Sequence, residues 1–308
     1  MGLPSGGSRR EAVSWGPAPP DRRSPLLSYR HAFHAGNFAD VLKHAVLALL
    51  VAALARKEKP FAVLDTHAGA GLYDLGSREA RKLREWRDGI GRLRDHGEAP
   101  AELRPYLEAV EAANTGDGMD AVGRYPGSPL VIRHLLRPGD RLLLCELHRA
   151  DHAALEALFA GDRQVAVHNR DGYEALKALL PPPERRGLVL IDPAYEVGDE
   201  WERVAEGLAT AWRRWPTGVL AAWYPLLAGD PHARLERAVV AAGLTKILRV
   251  KLGVFPQDSP GGMNGAGMLI VNPPWQVDKQ VARLLPWLLA RLAPGGQGQQ
   301  KVDWLVPE

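Results

Sequence analysis

Cysteine is almost absent: Cys145 stands alone in 308 residues. A single thiol excludes an intramolecular disulfide and every cysteine-based zinc pattern. It fits a reducing compartment, so a cytoplasmic location is expected. Long apolar runs are missing too. The longest, Ala45 to Ala55, opens after Lys43 and His44 and stops at Arg56, short of the roughly 18 residues a membrane span needs. A soluble chain with no membrane partner is expected, and a monomer. Charge of one sign is also scarce. The formal net charge is +3, and residues 1–25 hold four Arg against Glu11 and Asp21, leaving +1 for the remaining 283 residues. So small an excess creates no field of its own, and any basic surface must be local.

Those first 25 residues hold five Pro and four Gly with few aliphatic side chains, too little apolar surface to offset the entropy of ordering. They read as a disordered tail or a misassigned start. No apolar segment of a secretory signal is among them, and Pro17, Pro19 and Pro20 interrupt an amphipathic transit helix. Organised sequence begins near Leu26. Apolar runs then recur at Phe61 to Leu64, Arg141 to Cys145, Gln164 to Val167, Leu188 to Ile191, Gly218 to Trp223, Lys246 to Val254 and Met268 to Val271. Helical patterns fit between them at Asp151 to Phe159, Tyr173 to Leu180, Glu200 to Trp212 and His232 to Ala242. This alternation predicts an α/β fold with a mostly parallel sheet covered on both faces. The connection from Phe255 to Gly267 has four Gly, two Pro and no helical period, so the last two strands are expected to pair antiparallel. A Rossmann-like sheet of seven strands ending in such a hairpin describes a class I methyltransferase better than a dinucleotide dehydrogenase.

About fifty extra residues, 74–123, lie between the first two of these strands, more than a crossover requires. Leu83, Trp86, Ile90 and Leu93 recur at helical spacing, as do Leu103, Leu107 and Val110. They predict a small helical insertion subdomain, with the main domain at 26–73 and 124–308. Its first helix carries Arg78, Arg81, Lys82, Arg84, Arg87, Arg92 and Arg94 against Glu79, Glu85 and Asp88. Such a run is either a solvated face or a nucleic-acid contact, and both readings stand open.

Residues suited to chemistry gather after the predicted strands, where open α/β sheets bind ligands. Leu64-Asp65-Thr66-His67-Ala68-Gly69-Ala70-Gly71 offers Gly69 and Gly71 for close backbone approach. It is neither the dinucleotide fingerprint nor a P-loop, because Asp74 stands where the third small residue belongs and no Gly-Lys-Ser/Thr follows. Glu146 follows the second strand and Asp171-Gly172 the third. The first carboxylate suits both hydroxyls of a ribose and the other an adenine amino group, although Asp171 is equally a helix cap. The fourth strand ends in Asp192-Pro193-Ala194-Tyr195. An exocyclic adenine nitrogen is a poor nucleophile until acceptors draw its lone pair out of conjugation. Asp192 and the Pro193 carbonyl suit that task, and Tyr195 suits stacking on a flipped base. Asn272-Pro273-Pro274-Trp275 matches the amino-methyltransferase pattern more literally. Its place on the antiparallel edge favours Asp192.

Upstream, Tyr29, Arg30, His31 and His34 precede a helix and suit an anionic ligand, with Lys43 suited to pairing with a carboxylate. The two histidines lack a Glu-containing zinc motif and a cysteine partner, so no metal is expected. Ser128 reads as a possible helix cap, and His44 and His67 equally as core histidines.

These stretches together resemble the RlmJ-type bacterial methyltransferases, which modify an adenine N6 of 23S ribosomal RNA. The resemblance rests on residues 27–31, 34–37, 40–44, 65–71, 125–130, 146–148, 171–172, 191–195, 223–225, 272–275 and 304–308. It implies S-adenosylmethionine as methyl donor, with Lys43, His44, His67, Ser128, Glu146, Asp171 and Gly172 lining its site. It also implies Asp192 as catalytic acceptor, Tyr29 near the RNA and the insertion on the RNA side. The family's Asp-Pro-Pro-Tyr is Asp-Pro-Ala-Tyr here, so a looser loop is expected. A DNA adenine methyltransferase and a non-catalytic RNA-binding assembly factor are the rival readings.

Overall fold

The computed structural model describes residues 30–93, 97–114, 123–196, 198–257, 259 and 262–307. The expected tail, Tyr29 and Arg94 lie outside the described residues. Ten strands and nine α-helices run through the described chain. The parallel part of the main sheet comprises β1 (Ala62–Asp65), β4 (Arg141–Cys145), β5 (Val165–His168), β6 (Gly187–Ile191) and β7 (Val219–Leu227). Strand β9 (Met263–Val271) enters antiparallel between β7 and β8 (Ile247–Gly253). The predicted terminal hairpin is therefore present, with β9 in the inner position.

The count of seven strands is corrected to eight. The added strand, β10 (Gln299–Val306), pairs antiparallel with β8 at the edge of the sheet. None of its residues is fully buried, so it lacks the apolar run that marks the inner strands. The order across the sheet is β10-β8-β9-β7-β6-β1-β4-β5. A two-stranded ribbon, β2 (Leu72–Asp74) with β3 (Arg124–Pro126), frames the insertion. Its three-residue strands are too short to show alternation.

Helix α1 (Phe38–Ala55) opens the described fold, with the Asn37 side chain accepting from the amides of Ala39 and Asp40 as its N-cap. By length and composition it could cross a membrane, which corrects the expectation that no segment comes near that limit. The residues that broke the run in sequence, Asp40, Lys43 and His44, are buried with the rest of the helix. The helix packs against β9, α3 (Arg104–Ala112), α4 (Ser128–Leu135) and α9 (Val277–Leu292), so it is the central helix of one sheet face.

The insertion is less helical than its spacing predicts. Helix α2 (Arg78–Leu83) ends where Arg84 adopts φ 56°, and two short 3-10 turns follow, at Glu85–Arg87 and Ile90–Leu93. Gly89 explains the break. A Cβ there would sit 2.0 Å from the Gly36 carbonyl oxygen, so the chain must press against the start of α1. Helix α3 forms as expected. Ile90, Leu93, Leu103, Tyr106, Leu107 and Val110 belong to the same buried cluster as the apolar side chains of α1.

Candidate active site

The chain runs from β1 outward to β4 and β5, then returns to add β6 on the other side of β1. Ligand crevices of open α/β sheets lie at such a reversal, beyond the strand ends. Two carboxylates flank it: Asp65 closes β1, and Asp192 follows β6. Lys43 of α1 reaches the crevice from the covering layer. Its Nζ lies 2.7 Å from Asp192 Oδ2 and 2.8 Å from Asp40 Oδ1. Burial opposes the charge on Lys43, but the two carboxylates outweigh it and hold the ammonium above the ordinary lysine value. Asp40 also accepts from the Gly36 amide and pairs with His31 Nε2, each at 2.9 Å. Burial would raise its pKa, yet His31 and Lys43 keep it well below the usual range. One buried chain of charges thus joins the N-terminal turn to Asp192.

Beside it, Pro193 is buried and Ala194 exposed. Tyr195 adopts φ 53°, a region that costs a non-glycine residue energy. Three contacts offset this strain. The Tyr195 hydroxyl donates to the Trp223 carbonyl at 2.7 Å, and its ring packs against Trp201 at 4.4 Å and Trp223 at 5.9 Å between centroids. Ala194, exposed beside Tyr195, carries none of those contacts.

On the other side of β1 the turn to Gly71 is built by glycine. Gly69 and Gly71 have φ of +61° and +78°. The Gly69 amide donates to Glu146 Oε2 at 2.8 Å, and the His148 amide donates to Oε1 at 2.7 Å. These bonds fix the carboxylate and leave a lone pair on each oxygen. Asp171 is the N-cap of α6 (Gly172–Leu179): Oδ1 accepts from the amides of Tyr173 and Glu174, and Oδ2 lies 3.6 Å from Arg203. Capping is therefore what the structure shows for Asp171. Gly172 is required where it stands, because a Cβ would meet the Thr66 carbonyl oxygen at 2.2 Å.

Ser128 does not cap the helix it begins. The chain returning from the insertion along β3 delivers its hydroxyl to Asp65 Oδ2 at 2.6 Å. Burial pushes Asp65 up to about 7, against the pull of that hydrogen bond. Burial also lowers His67 to about 4, so its imidazole is neutral. His44 Nδ1 lies 2.8 Å from the Tyr125 hydroxyl, while Nε2 is buried with no partner among the described residues.

The predicted residues thus gather at one crevice, with three exceptions. Tyr29 lies outside the described residues. Arg30 is exposed and 3.7 Å from Glu79 of α2. Asn272 and Pro273 line a cavity of about 410 Å³ beyond the start of β7, because β9 runs antiparallel and ends at the opposite edge of the sheet. Among the described residues no group of three or more His, Cys, Asp or Glu is placed to hold a metal; His34 instead pairs with Glu85 at 3.0 Å. Sequence reasoning missed Asp40, Asp65 and Trp223 as members of the site. Asp40 was detectable, standing one helical turn before Lys43.

Comparison with known proteins adds an independent line. The family profile described as "Ribosomal RNA large subunit methyltransferase D, RlmJ" matches residues 58–306. The chain is 45% identical over 283 residues to the Ribosomal RNA large subunit methyltransferase J of Escherichia coli K12, covering 92% of this chain and all of that one. The protein of the same name from Haemophilus influenzae is 43% identical with the same coverage. A crystal structure of a Legionella pneumophila protein superposes with a TM-score of 0.81 at 34% identity, covering 88% of this chain and 98% of the other.

Proposed function

The chain belongs to the RlmJ family of ribosomal RNA large subunit methyltransferases, and on that premise we propose that it methylates the exocyclic N6 of an adenine in 23S ribosomal RNA, using S-adenosylmethionine. The observation that carries the choice of atom is Asp192, held beside a buried lysine at the reversal point of the sheet.

The crevice suits the cofactor. His44 Nε2 is a buried polar atom awaiting a partner, and Glu146 keeps acceptors for a ribose. His67, Gly69, Gly71 and Ser128 complete the wall, and the Asp171–Gly172 turn faces it. When bound, S-adenosylmethionine supplies a sulfonium-activated methyl group. Lys43 is better assigned to Asp192 than to the cofactor, since both its close partners are carboxylates.

The ammonium of Lys43 fixes one oxygen of Asp192, leaving Oδ1 to accept from the adenine amino group. The Pro193 carbonyl is the second acceptor, on a backbone that proline stiffens. Together they draw the nitrogen lone pair out of conjugation. No strong base is needed, because the N–H becomes acidic only after the methyl has arrived and its proton then leaves through Asp192 to water. Positioning and preorganised charge supply the acceleration. Tyr195 keeps a partly exposed ring for the flipped base, with Trp223 behind it. Arg30, Tyr29 and the basic face of α2 are assigned to the RNA backbone. The relatives' names favour RNA over DNA as substrate, and an intact Asp192–Lys43 pair opposes the assembly-factor reading.

The test incubates protein with labelled S-adenosylmethionine and deproteinised 23S RNA lacking the modification, then identifies the methylated nucleoside. N6-methyladenosine is expected from the wild type, with loss of about 1,000-fold or more in rate for Asp192→Ala. Any other methylated nucleoside would refute the assignment of the target atom.

A further inference from the structure

Tyr106, Tyr125 and His44 form a buried line running from the insertion to the cofactor crevice. All three side chains are at most 1% exposed. Tyr106 Oη lies 3.1 Å from Tyr125 Oη, which lies 2.8 Å from His44 Nδ1, and the His44 and Tyr125 rings stack at 5.6 Å. His44 Nε2, at the far end, has no partner among the described residues.

Burial and the neighbouring Lys43 ammonium hold His44 well below its ordinary pKa, so the ring is neutral and carries one N–H. The hydrogen bond at one ring nitrogen sets which of the two bears it. A phenol donates well to a bare imidazole nitrogen, whereas its own oxygen accepts weakly from an imidazole N–H. The line therefore runs in one direction: Tyr106 donates to Tyr125, and Tyr125 donates to Nδ1. Each bond polarises the next. The proton of His44 is left on Nε2, where an unmet donor is costly until an acceptor arrives.

We propose that Tyr106 and Tyr125 are positioning residues that fix His44 as the Nε2–H tautomer, so that it presents a donor to an acceptor of S-adenosylmethionine, its carboxylate being the strongest. The proposal rests on the cofactor reading given above. It makes the insertion a structural part of cofactor binding, since Tyr106 stands on its helix α3 and reaches His44 through Tyr125 of β3, the strand by which the chain returns.

Nitrogen-15 spectra of histidine-labelled, cofactor-free protein test it directly. In the wild type, His44 is expected with a protonated Nε2 and a bare Nδ1. Tyr125→Phe keeps the ring and removes the hydroxyl. It is expected to give a mixture of tautomers and to raise the calorimetric Kd for S-adenosylmethionine about fivefold to tenfold. Tyr106→Phe, one bond further away, is expected to raise it about two- to threefold, with kcat at saturating cofactor unchanged in both. A wild-type His44 protonated on Nδ1 would overturn the relay. So would a Tyr125→Phe protein with the wild-type tautomer and affinity. Absence of binding by the wild type itself would overturn the cofactor reading, whereas the tautomer spectrum reports on the relay alone.

Discussion

Burial moves three groups in the crevice away from their ordinary titration ranges, the two histidines downward and the carboxylic acid upward. His67, lowered to about 4 by burial, and His44, held well below its ordinary value by burial and Lys43, are neutral in the folded protein. The unfolded chain takes up those protons near pH 6.5, so their contribution is complete above that value and is lost as pH falls toward 4. Asp65 is raised to about 7 by burial. Its contribution is present at low pH and is lost as pH rises through 7. The melting temperature of the cofactor-free protein, scanned from pH 4.5 to 8.5, is therefore expected to rise to about pH 7 and level off, because two histidines outweigh one carboxylate. His67→Gln should flatten that rise and Asp65→Asn should steepen it. Identical profiles for wild type and variants would refute these assignments. The site itself was half visible in the sequence. Glycines and acids placed after apolar runs mark Gly69, Gly71, Glu146 and Asp192, because strand ends are where such residues are useful. Asp65 carries the same signal, standing directly after Phe61 to Leu64, whereas Trp223 carries none: a strand tryptophan reads as ordinary until the fold brings Tyr195 against it.

At the scale of elements, the inner strands were legible because burial on both sides demands continuous apolar runs, and β10 was not because one of its edges faces solvent. Charge adds to the backbone ladder that holds β10 against β8. Arg249 of β8 pairs with Asp303 through two hydrogen bonds of 2.9 and 2.6 Å, and with Glu236 at 2.6 Å. Arg249→Ala is expected to cost about 1.5–3 kcal/mol. It should also speed amide exchange across residues 299–306 while leaving β1, β4 and β6 protected. Unchanged exchange in β10 would assign its docking to apolar contacts instead. The insertion shows the opposite failure. Leu83, Trp86, Ile90 and Leu93 have the period of a helix, but the close approach of Gly89 to Gly36 forces the chain out of helical geometry. A contact distant in sequence overrode a local pattern.

For the whole molecule, the net charge of +3 conceals a polarised surface. Arg78, Arg81, Lys82, Arg84 and Arg87 are all exposed on and after α2, and α2 packs against the turn carrying His31. That turn leads through Asp40 and Lys43 to Asp192, so a line of ion pairs connects the neighbourhood of the basic face to that carboxylate. Reversing Arg78, Arg81 and Arg84 to Glu is expected to weaken binding of 23S RNA. The log–log salt slope should fall by about 0.7 for each phosphate that the variant leaves unneutralised, with S-adenosylmethionine affinity unchanged. RNA affinity equal to the wild type would remove α2 from the interface. No composition statistic could have shown this polarity, because it arises from where the fold puts α2.

The ion pair between Lys43 and Asp192 spans 149 positions of the chain, and that separation has a consequence for the order of synthesis. Helix α1 leaves the ribosome early, carrying a lysine that the finished protein buries, while one of its two counter-charges has yet to be translated. Until β6 has emerged, docking α1 would enclose an ammonium with only Asp40 to balance it, a costly arrangement. A nascent chain arrested before residue 187 is therefore expected to leave α1 open to protease, and one extended past β9 to protect it. The carboxylate of Asp192 thus doubles as a signal that enough of the protein exists for its first helix to close.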